Sequence, residues 1–205
     1  MKPSISLQVG QDIILEIRNN RIPKKLSYEK FNSDLLLFPS LYGGNSDRIF
    51  YIWYMKFRRL TGAPQFELAP YVKQIIEDNR GYDMQIYLGC DSQNKALTTV
   101  YATTVVFHIA STGCHVIYKR EEVPVIRDMW TRLWKETEKS CEVALYLRKH
   151  GIEVSTIDLD YNTDPAKKSN KLVSAAVGYV ESLGFKARCK PDLLPGAYAA
   201  DNIVN

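Results

Sequence analysis

The sequence predicts an α/β fold in which three antiparallel strands precede two parallel strands, with helices flanking the sheet. Two observations support this. Residues 84–123 contain β-rich runs and a hairpin signal, Ser111-Thr112-Gly113, whereas strands and helices alternate from about residue 127 onward. A helix between two strands is typical of a right-handed crossover that adds a parallel strand. The predicted sheet therefore has five strands and mixed pairing.

Each element follows from its residue pattern. Residues 68–79 have the apolar spacing of a helix. Residues 84–90 alternate as a strand, which places Asp91 at the strand end and away from the aliphatic face. Gly151 predicts the end of the long helix that precedes it, because glycine is common just after the last residue of a helix. The further strands are predicted at residues 97–109, 114–123, 154–160 and 185–189, and the further helices at 127–150, 168–183 and from about 196.

The character of the chain changes near residue 64. Residues 1–64 mix short apolar runs with turn signals and include an aromatic and basic stretch at residues 50–59. Such a stretch could stack bases, or it could be an amphipathic element against a core. We predict an N-terminal extension of unknown role at 1–64, which could recruit a protein partner, followed by a domain at 65–205.

Composition narrows the class of protein. The net charge of +4 permits a polyanionic partner without requiring one. The four cysteines have no C-x-x-C spacing and no histidine at a ligand interval, which argues against zinc and fits a reduced compartment. No signal peptide and no run of about 18 apolar residues is present. We expect a cytoplasmic protein that does not contact a membrane.

Acidic residues lie at predicted strand ends and on the last helix, at Asp91, Asp158, Asp160 and Asp201. Mg²⁺ and Mn²⁺ prefer hard oxygen ligands, and two such ions about 4 Å apart need carboxylates from several elements. The pattern is typical of a two-metal site that cleaves phosphodiester bonds. The alternatives are a turn-forming Asp91, an Asx turn between Asp160 and Asn162, and a surface carboxylate at Asp201.

Several short segments occur in a recognisable order over the last two thirds of the chain. They are Tyr87-Leu88-Gly89-Cys90-Asp91-Ser92-Gln93, Arg132-Leu133-Trp134-Lys135-Glu136, Asp158-Leu159-Asp160-Tyr161-Asn162, Lys168-Ser169, Gly178-Tyr179-Val180, Gly184-Phe185, Lys190-Pro191-Asp192 and Ala200-Asp201. The order of elements is that of the ribonuclease H fold. In these segments the chain resembles the YkuK family, ribonuclease H-like proteins once catalogued only as a domain of unknown function.

The resemblance implies a nuclease fold with two Mg²⁺ or Mn²⁺ ions on a carboxylate cluster. The catalytic and metal-binding carboxylates that it implies are Asp91, Glu136, Asp160 and Asp201. Helical spacing independently turns Glu136 toward the sheet, because Leu133, Ser140 and Ala144 share its side. The chain departs from the family pattern at Cys90, where Thr is usual, and at Asp158, where His is frequent. We take Asp158 as a fifth candidate ligand, which could enrich the metal site or repel it.

Polar residues near the same sheet edge are candidates for substrate binding, although they could also cap the helix near residue 168. They are Ser92, Gln93, Asn162, Lys168, Ser169 and Lys190. The expected partner is nucleic acid, with RNA, DNA and hybrid left open. A catalytically silent binding or scaffold module is the main alternative, and a strand-transfer role with a partner is another. A phosphate-cradling ATPase is disfavoured because residues 91–96 contain no glycine.

Overall fold

The computed structural model describes residues 5–8, 14–17, 55–62 and 64–204. The chain divides into two compact units, Met1–Asp47 and Arg48–Asn205. In the first unit, strand β1 (Ile5–Gln8) pairs antiparallel with β2 (Ile14–Ile17). Residues 50–54 of the predicted aromatic and basic stretch lie outside the described residues. The role predicted for residues 1–64, including the recruitment of a protein partner, stays a prediction.

Within residues 55–62 and 64–204, the second unit has seven strands and four helices. In chain order these are β3 (Lys56–Arg59), β4 (Phe66–Glu67), α1 (Leu68–Asp78), β5 (Met84–Asn94), β6 (Thr98–Ile109), β7 (Gly113–Pro124), α2 (Met129–Lys149), β8 (Thr156–Asn162), α3 (Asn170–Ser182), β9 (Ala187–Lys190) and α4 (Pro195–Val204). The spatial order of the strands is β4-β3-β7-β6-β5-β8-β9. No helix in the described ranges is long and apolar enough to cross a membrane.

The pairing confirms the predicted mixed sheet and corrects its size. Strands β5, β6 and β7 are antiparallel, and β5, β8 and β9 are parallel. The prediction of five strands was wrong, because β3 and β4 extend the sheet beyond β7 to seven strands. These two strands have four and two residues, which is too short for a clear alternating pattern. The predicted boundary at residues 64 and 65 is not tested, but β3 lies before it and pairs with β7.

The two faces of the sheet carry separate apolar clusters. Helices α1, α2 and α3 cover one face, where their residues Val72, Leu147 and Val180 join Leu88 and Ile157 in one buried core. On the other face, residues of α4 pack on β6 in a smaller cluster of Val100, Ala102, Ala200 and Val204. Since successive residues of a strand point to opposite faces, Asp91 lies on the face that α4 covers.

Helix α4 begins in backbone contact with strand β5. A Cβ atom at Gly89 would lie 2.3 Å from the carbonyl carbon of Gly196 and 2.3 Å from the amide nitrogen of Ala197. A Cβ atom at Gly196 would in turn lie 2.5 Å from the carbonyl carbon of Leu88. Two hydrogen bonds fix this approach: Thr104 Oγ1 donates to Gly196 O at 2.7 Å, and Gly196 N donates to Asp158 Oδ2 at 2.8 Å. Only glycine allows the helix to start so close to the strand.

The parallel register of β5 and β8 aligns their carboxyl ends. Leu88 pairs with Ile157, and Gly89 pairs with Asp158. The same offset places Asp91 level with Asp160, two residue pairs beyond Gly89 and Asp158 and therefore on the same face of the sheet. The carboxyl ends of parallel strands in open α/β sheets are where ligands bind in many proteins. The fold therefore brings these two carboxylates to an edge suited to a functional site.

Candidate active site

Asp91 is half-buried on β5 and lies close enough to other acids to feel their charge. The predicted end of this strand at residue 90 was wrong, because β5 continues to Asn94. Burial, together with the charges of Asp160 and Asp201, raises the pKa of the Asp91 carboxyl to about 6, against a backbone hydrogen bond at Ser92 and the charge of Arg132. Asp201 is exposed on α4. The structure thus brings the three predicted aspartates into one electrostatic group.

Glu136 projects from α2 into the protein, as its helical spacing predicted. Glu136 is 3 % exposed, and its Oε1 atom accepts a hydrogen bond from Ser92 Oγ. Within the described ranges, the buried Oε2 atom has no hydrogen-bond partner. Burial raises the pKa of Glu136 well above its usual value, and the charges of Asp91 and Asp160 act in the same direction. A buried carboxylate oxygen without a donor calls for either a proton or a cation.

Asp160, at the end of β8, is paired with a lysine from the neighbouring strand. Its Oδ1 atom lies 2.5 Å from Lys190 Nζ, and the two side chains are 29 % and 35 % exposed. Direct contact with the Asp160 carboxylate raises the pKa of the Lys190 ammonium above its usual value, although burial of the ammonium opposes the shift. The ammonium therefore lies at the margin of the acidic group.

Asp158 has a different environment from Asp160, although both lie on one face of β8. Its Oδ1 atom accepts from Arg188 Nη2 at 2.7 Å and from Nε at 3.1 Å, and its Oδ2 atom accepts from Gly196 N at 2.8 Å. Burial raises the pKa of this carboxyl, while Arg188 and Gly196 oppose the shift. Both oxygens are occupied by protein donors, so the contacts favour a structural role that ties β8 to β9 and α4.

The carboxylates of the acidic group are suitable ligands for a hard divalent cation, but their side chains are spread too widely to surround one. In residues 55–62 and 64–204, no three His, Cys, Asp or Glu side chains are gathered closely enough to hold a metal ion. The donors are nevertheless carboxylates, the pKa values of Asp91 and Glu136 are raised by burial and by neighbouring acids, and Glu136 Oε2 is buried without a donor among the described residues. Oxygen donors of this kind suit Mg²⁺ and Mn²⁺. The residues that could hold such an ion are Asp91, Glu136, Asp160 and Asp201.

A cationic cleft adjoins the acidic group. It has a volume of about 450 Å³ and is lined by Met129, Arg132, Leu133, Asp160, Asn162, Lys167, Lys168, Ser169 and Lys190. Four of the predicted substrate residues, namely Asn162, Lys168, Ser169 and Lys190, thus face one space. Positive side chains beside a sheet edge are typical of contacts to a phosphate backbone.

A hydrogen-bonded loop presents the lysines of this cleft. Asn162 Oδ1 accepts from the amide of Asp164 at 2.9 Å, which forms an Asx turn, and Ser169 Oγ accepts from the amide of Asn162 at 3.1 Å. Asn170 Nδ2 donates to the carbonyl of Thr163 at 2.8 Å. Lys167 and Lys168 are exposed on this loop. This Asx turn joins Asn162 to Asp164 and is not the turn between Asp160 and Asn162 that was the alternative interpretation of Asp160.

Two of the predicted substrate residues are not among those lining the cleft. Ser92 is 7 % exposed and bonds to Glu136, so it positions that carboxylate. Gln93 is half-buried on the next position of β5. The predicted binding role of both residues stays a prediction, and the contacts of Ser92 favour a supporting role.

Arg132 is a site residue that the sequence reading did not select. Its Nη1 atom donates to the carbonyl and to the hydroxyl of Ser92, both at 2.6 Å, and lies 3.7 Å from Glu136 Oε1. Its position four residues before Glu136 places both side chains on one face of α2. This spacing could have identified Arg132 from the sequence. An arginine four residues before an inward-facing glutamate lies beside that glutamate on the helix.

The family model described as Ribonuclease H-like matches residues 67–205, which is more than half of the chain. The chain belongs to the Ribonuclease H-like family. No curated protein and no solved structure matches it significantly. The matched range of this ribonuclease H-like protein includes the whole acidic group and the cationic cleft. Family membership establishes the fold and leaves the chemistry to be argued from the site.

Proposed function

We propose that this ribonuclease H-like protein is a divalent-metal-dependent nuclease that hydrolyses phosphodiester bonds of nucleic acid. The observation that carries the proposal is buried Glu136, whose Oε2 atom has no donor in the described part of the chain and whose pKa is raised by burial and by the charges of Asp91 and Asp160. Carboxylates are rarely kept together in this way without a compensating cation. The segments around Asp91 and Asp160 resemble those of YkuK proteins, and this resemblance supports the proposal.

Asp91, Glu136, Asp160 and Asp201 are the proposed catalytic and metal-binding carboxylates. Two Mg²⁺ or Mn²⁺ ions, when bound, would supply an activated water and stabilise the departing 3′ oxygen. Ser92 and Arg132 hold Glu136 in place, because each contacts its Oε1 atom. Asp158 fixes the start of α4 through Gly196 and thereby supports the helix that carries Asp201.

The cationic cleft is the proposed path of the nucleic acid backbone. The ammonium groups of Lys167 and Lys168 are exposed at its rim, and Ser169 and Asn162 lie beside them. Contacts of this kind bind phosphates and set the position of the strand without reading its sequence. The choice between RNA, DNA and a hybrid depends on contacts to the 2′-hydroxyl, so the substrate panel below decides it.

A catalytically silent nucleic-acid-binding protein is the second candidate. Two observations favour it: Asp160 is already neutralised by Lys190, and no metal-holding set of three side chains occurs among the residues that the structure describes. The cleft alone would suffice for binding. In that case neutralising Asp91 or Asp160 leaves nucleic acid binding intact, and no metal-dependent turnover occurs.

The decisive experiment is cleavage of labelled RNA, DNA, hybrid and branched substrates with Mn²⁺, with Mg²⁺ and with chelator. The variants are Asp91→Asn and Asp160→Asn, with Asp192→Asn as the matched control because Asp192 is an exposed loop residue. We expect metal-dependent cleavage by the wild type and by Asp192→Asn, and none by the other two variants. If no substrate is cut and calorimetry detects no metal binding, the silent binding protein becomes the better description.

A further inference from the structure

Lys190 lies at the boundary between the acidic group and the cationic cleft. Its ammonium is 2.5 Å from Oδ1 of Asp160, one of the proposed metal ligands, and the same side chain lines the cleft. A lysine ammonium and a divalent ion that contact the same carboxylate oxygen repel each other, so each weakens the binding of the other. The Lys190 ammonium therefore competes with a metal ion for this oxygen.

We infer that Lys190 is a built-in counter-ion of Asp160 that a divalent cation must displace before it can bind there. This inference rests on the proposed function, since it takes Asp160 as a metal ligand. Lys190 is then a positioning residue that sets metal affinity. Displacement turns its charge toward the cleft, so that metal binding also adds a cation to the proposed path of the phosphates.

The contacts of Lys190 allow its side chain to move while its backbone stays in place. Its carbonyl accepts from the amide of Thr163 at 3.2 Å and from Thr163 Oγ1 at 3.0 Å, and the residue pairs with Asn162 in the β8–β9 ladder. The side chain is 35 % exposed, and its four-carbon stem has several rotatable bonds. A change of rotamer is therefore enough to release Asp160, without any movement of β9.

Arg132 is a second cation in the same site, and unlike Lys190 it is held in place by hydrogen bonds to a neutral residue. Its Nη1 atom donates two hydrogen bonds of 2.6 Å to Ser92 and lies farther, at 3.7 Å, from Glu136 Oε1. The arginine is therefore anchored on a neutral partner and leaves Glu136 Oε2 open. Lys190, in contrast, makes its charged contact directly with a proposed ligand, so its removal should change metal affinity.

Calorimetric titration of Mn²⁺ into the full-length protein tests the inference. The variants are Lys190→Met, which removes the charge, and Lys190→Arg, which keeps it. Lys167→Met is the matched control, because Lys167 lines the same cleft without an ion pair to Asp160. We expect Lys190→Met to bind Mn²⁺ about tenfold more tightly than the wild type, from the loss of repulsion at contact distance in a solvent-screened site. Lys190→Arg and Lys167→Met should stay close to the wild-type affinity.

The outcomes separate this inference from the proposed function. Equal or weaker Mn²⁺ binding by Lys190→Met, beside measurable binding by the wild type, overturns the counter-ion role and leaves the nuclease proposal to the cleavage panel. An absence of Mn²⁺ binding in the wild type and in Lys190→Met overturns both. Thermal melting of each variant in chelator verifies folding, and Lys190→Gln replaces Lys190→Met if the latter does not fold.

Discussion

Replacing Asp91 by asparagine should stabilise the protein at neutral pH in the absence of metal. The folded protein keeps the Asp91 carboxylate half-buried and near Asp160 and Asp201, and these surroundings raise its pKa from 3.8 to about 6. An asparagine has nearly the same shape but carries no charge. The variant therefore removes the cost of an ionised carboxylate at this position.

The size and the sign of the effect follow from the pKa. The folded state binds the proton of Asp91 more tightly than the unfolded state, so the free energy of unfolding falls as the pH rises from 4 to 6. A difference of about two pKa units corresponds to about 3 kcal/mol, which is lost completely above the folded-state pKa. For a chain of this length such a difference shifts the melting temperature by roughly 6–12 °C.

The assay is urea denaturation at pH values from 4 to 8, in chelator, for the wild type, Asp91→Asn and Asp192→Asn. We expect Asp91→Asn to exceed the wild type by about 3 kcal/mol at pH 8 and to match it at pH 4. Asp192→Asn should follow the wild type throughout, since Asp192 is exposed. Because other groups titrate in both proteins, the difference between the curves isolates Asp91.

Two results would refute this reasoning. One is an Asp91→Asn variant that is no more stable than the wild type at pH 8. The other is a stability difference that stays constant between pH 4 and pH 8, because a constant difference cannot come from a carboxyl that titrates in that window. In either case burial and the neighbouring acids would not penalise the ionised Asp91 carboxylate as the structure indicates, and the argument for a cation at this site would lose its electrostatic basis.

Two further substitutions test the contacts around α4, with urea denaturation as the measurement. Gly89→Ala should destabilise the protein by roughly 1–3 kcal/mol or more because its Cβ meets the backbone of Gly196, whereas the control Gly178→Ala, with nothing within 4 Å, should be neutral or stabilising. Asp158→Ala should cost about 3 kcal/mol, because it leaves Arg188 without its carboxylate and the Gly196 amide without its acceptor. Wild-type stability in Gly89→Ala or Asp158→Ala would contradict these contacts.

Much of the fold was predictable because its signals are local and periodic. The alternation of residues 84–90, the hairpin at Ser111-Thr112-Gly113 and the Gly151 stop each report on a single element. Strands β3 and β4 were missed because four and two residues are too few for periodicity. Strand β3 is placed in the sheet by its pairing with β7, which is distant in sequence, and β4 is placed by its pairing with β3.

The site was predictable only in part, for a similar reason. Helical spacing was enough to predict that Glu136 faces inward, and the parallel arrangement of two strands was enough to group Asp91 with Asp160, although β5 does not end at Asp91. The sequence could not predict that Asp158 and Asp160 have different environments. Both residues lie on one face of β8, and only the side chains that contact them differ. Those partners, Arg188 and Lys190, are two residues apart on β9, and which aspartate each one reaches depends on the register of β8 and β9.

The close approach of Gly89 and Gly196 also bears on how this protein could be engineered. Where two elements are separated by side chains, repacking those side chains changes the spacing between them. Here the spacing between β5 and the start of α4 is set by main-chain atoms, whose dimensions are invariant. The apolar core on the opposite face can therefore be redesigned for thermal stability, for example around Leu147 and Val180, while the distance between the strand that carries Asp91 and the helix that carries Asp201 is preserved.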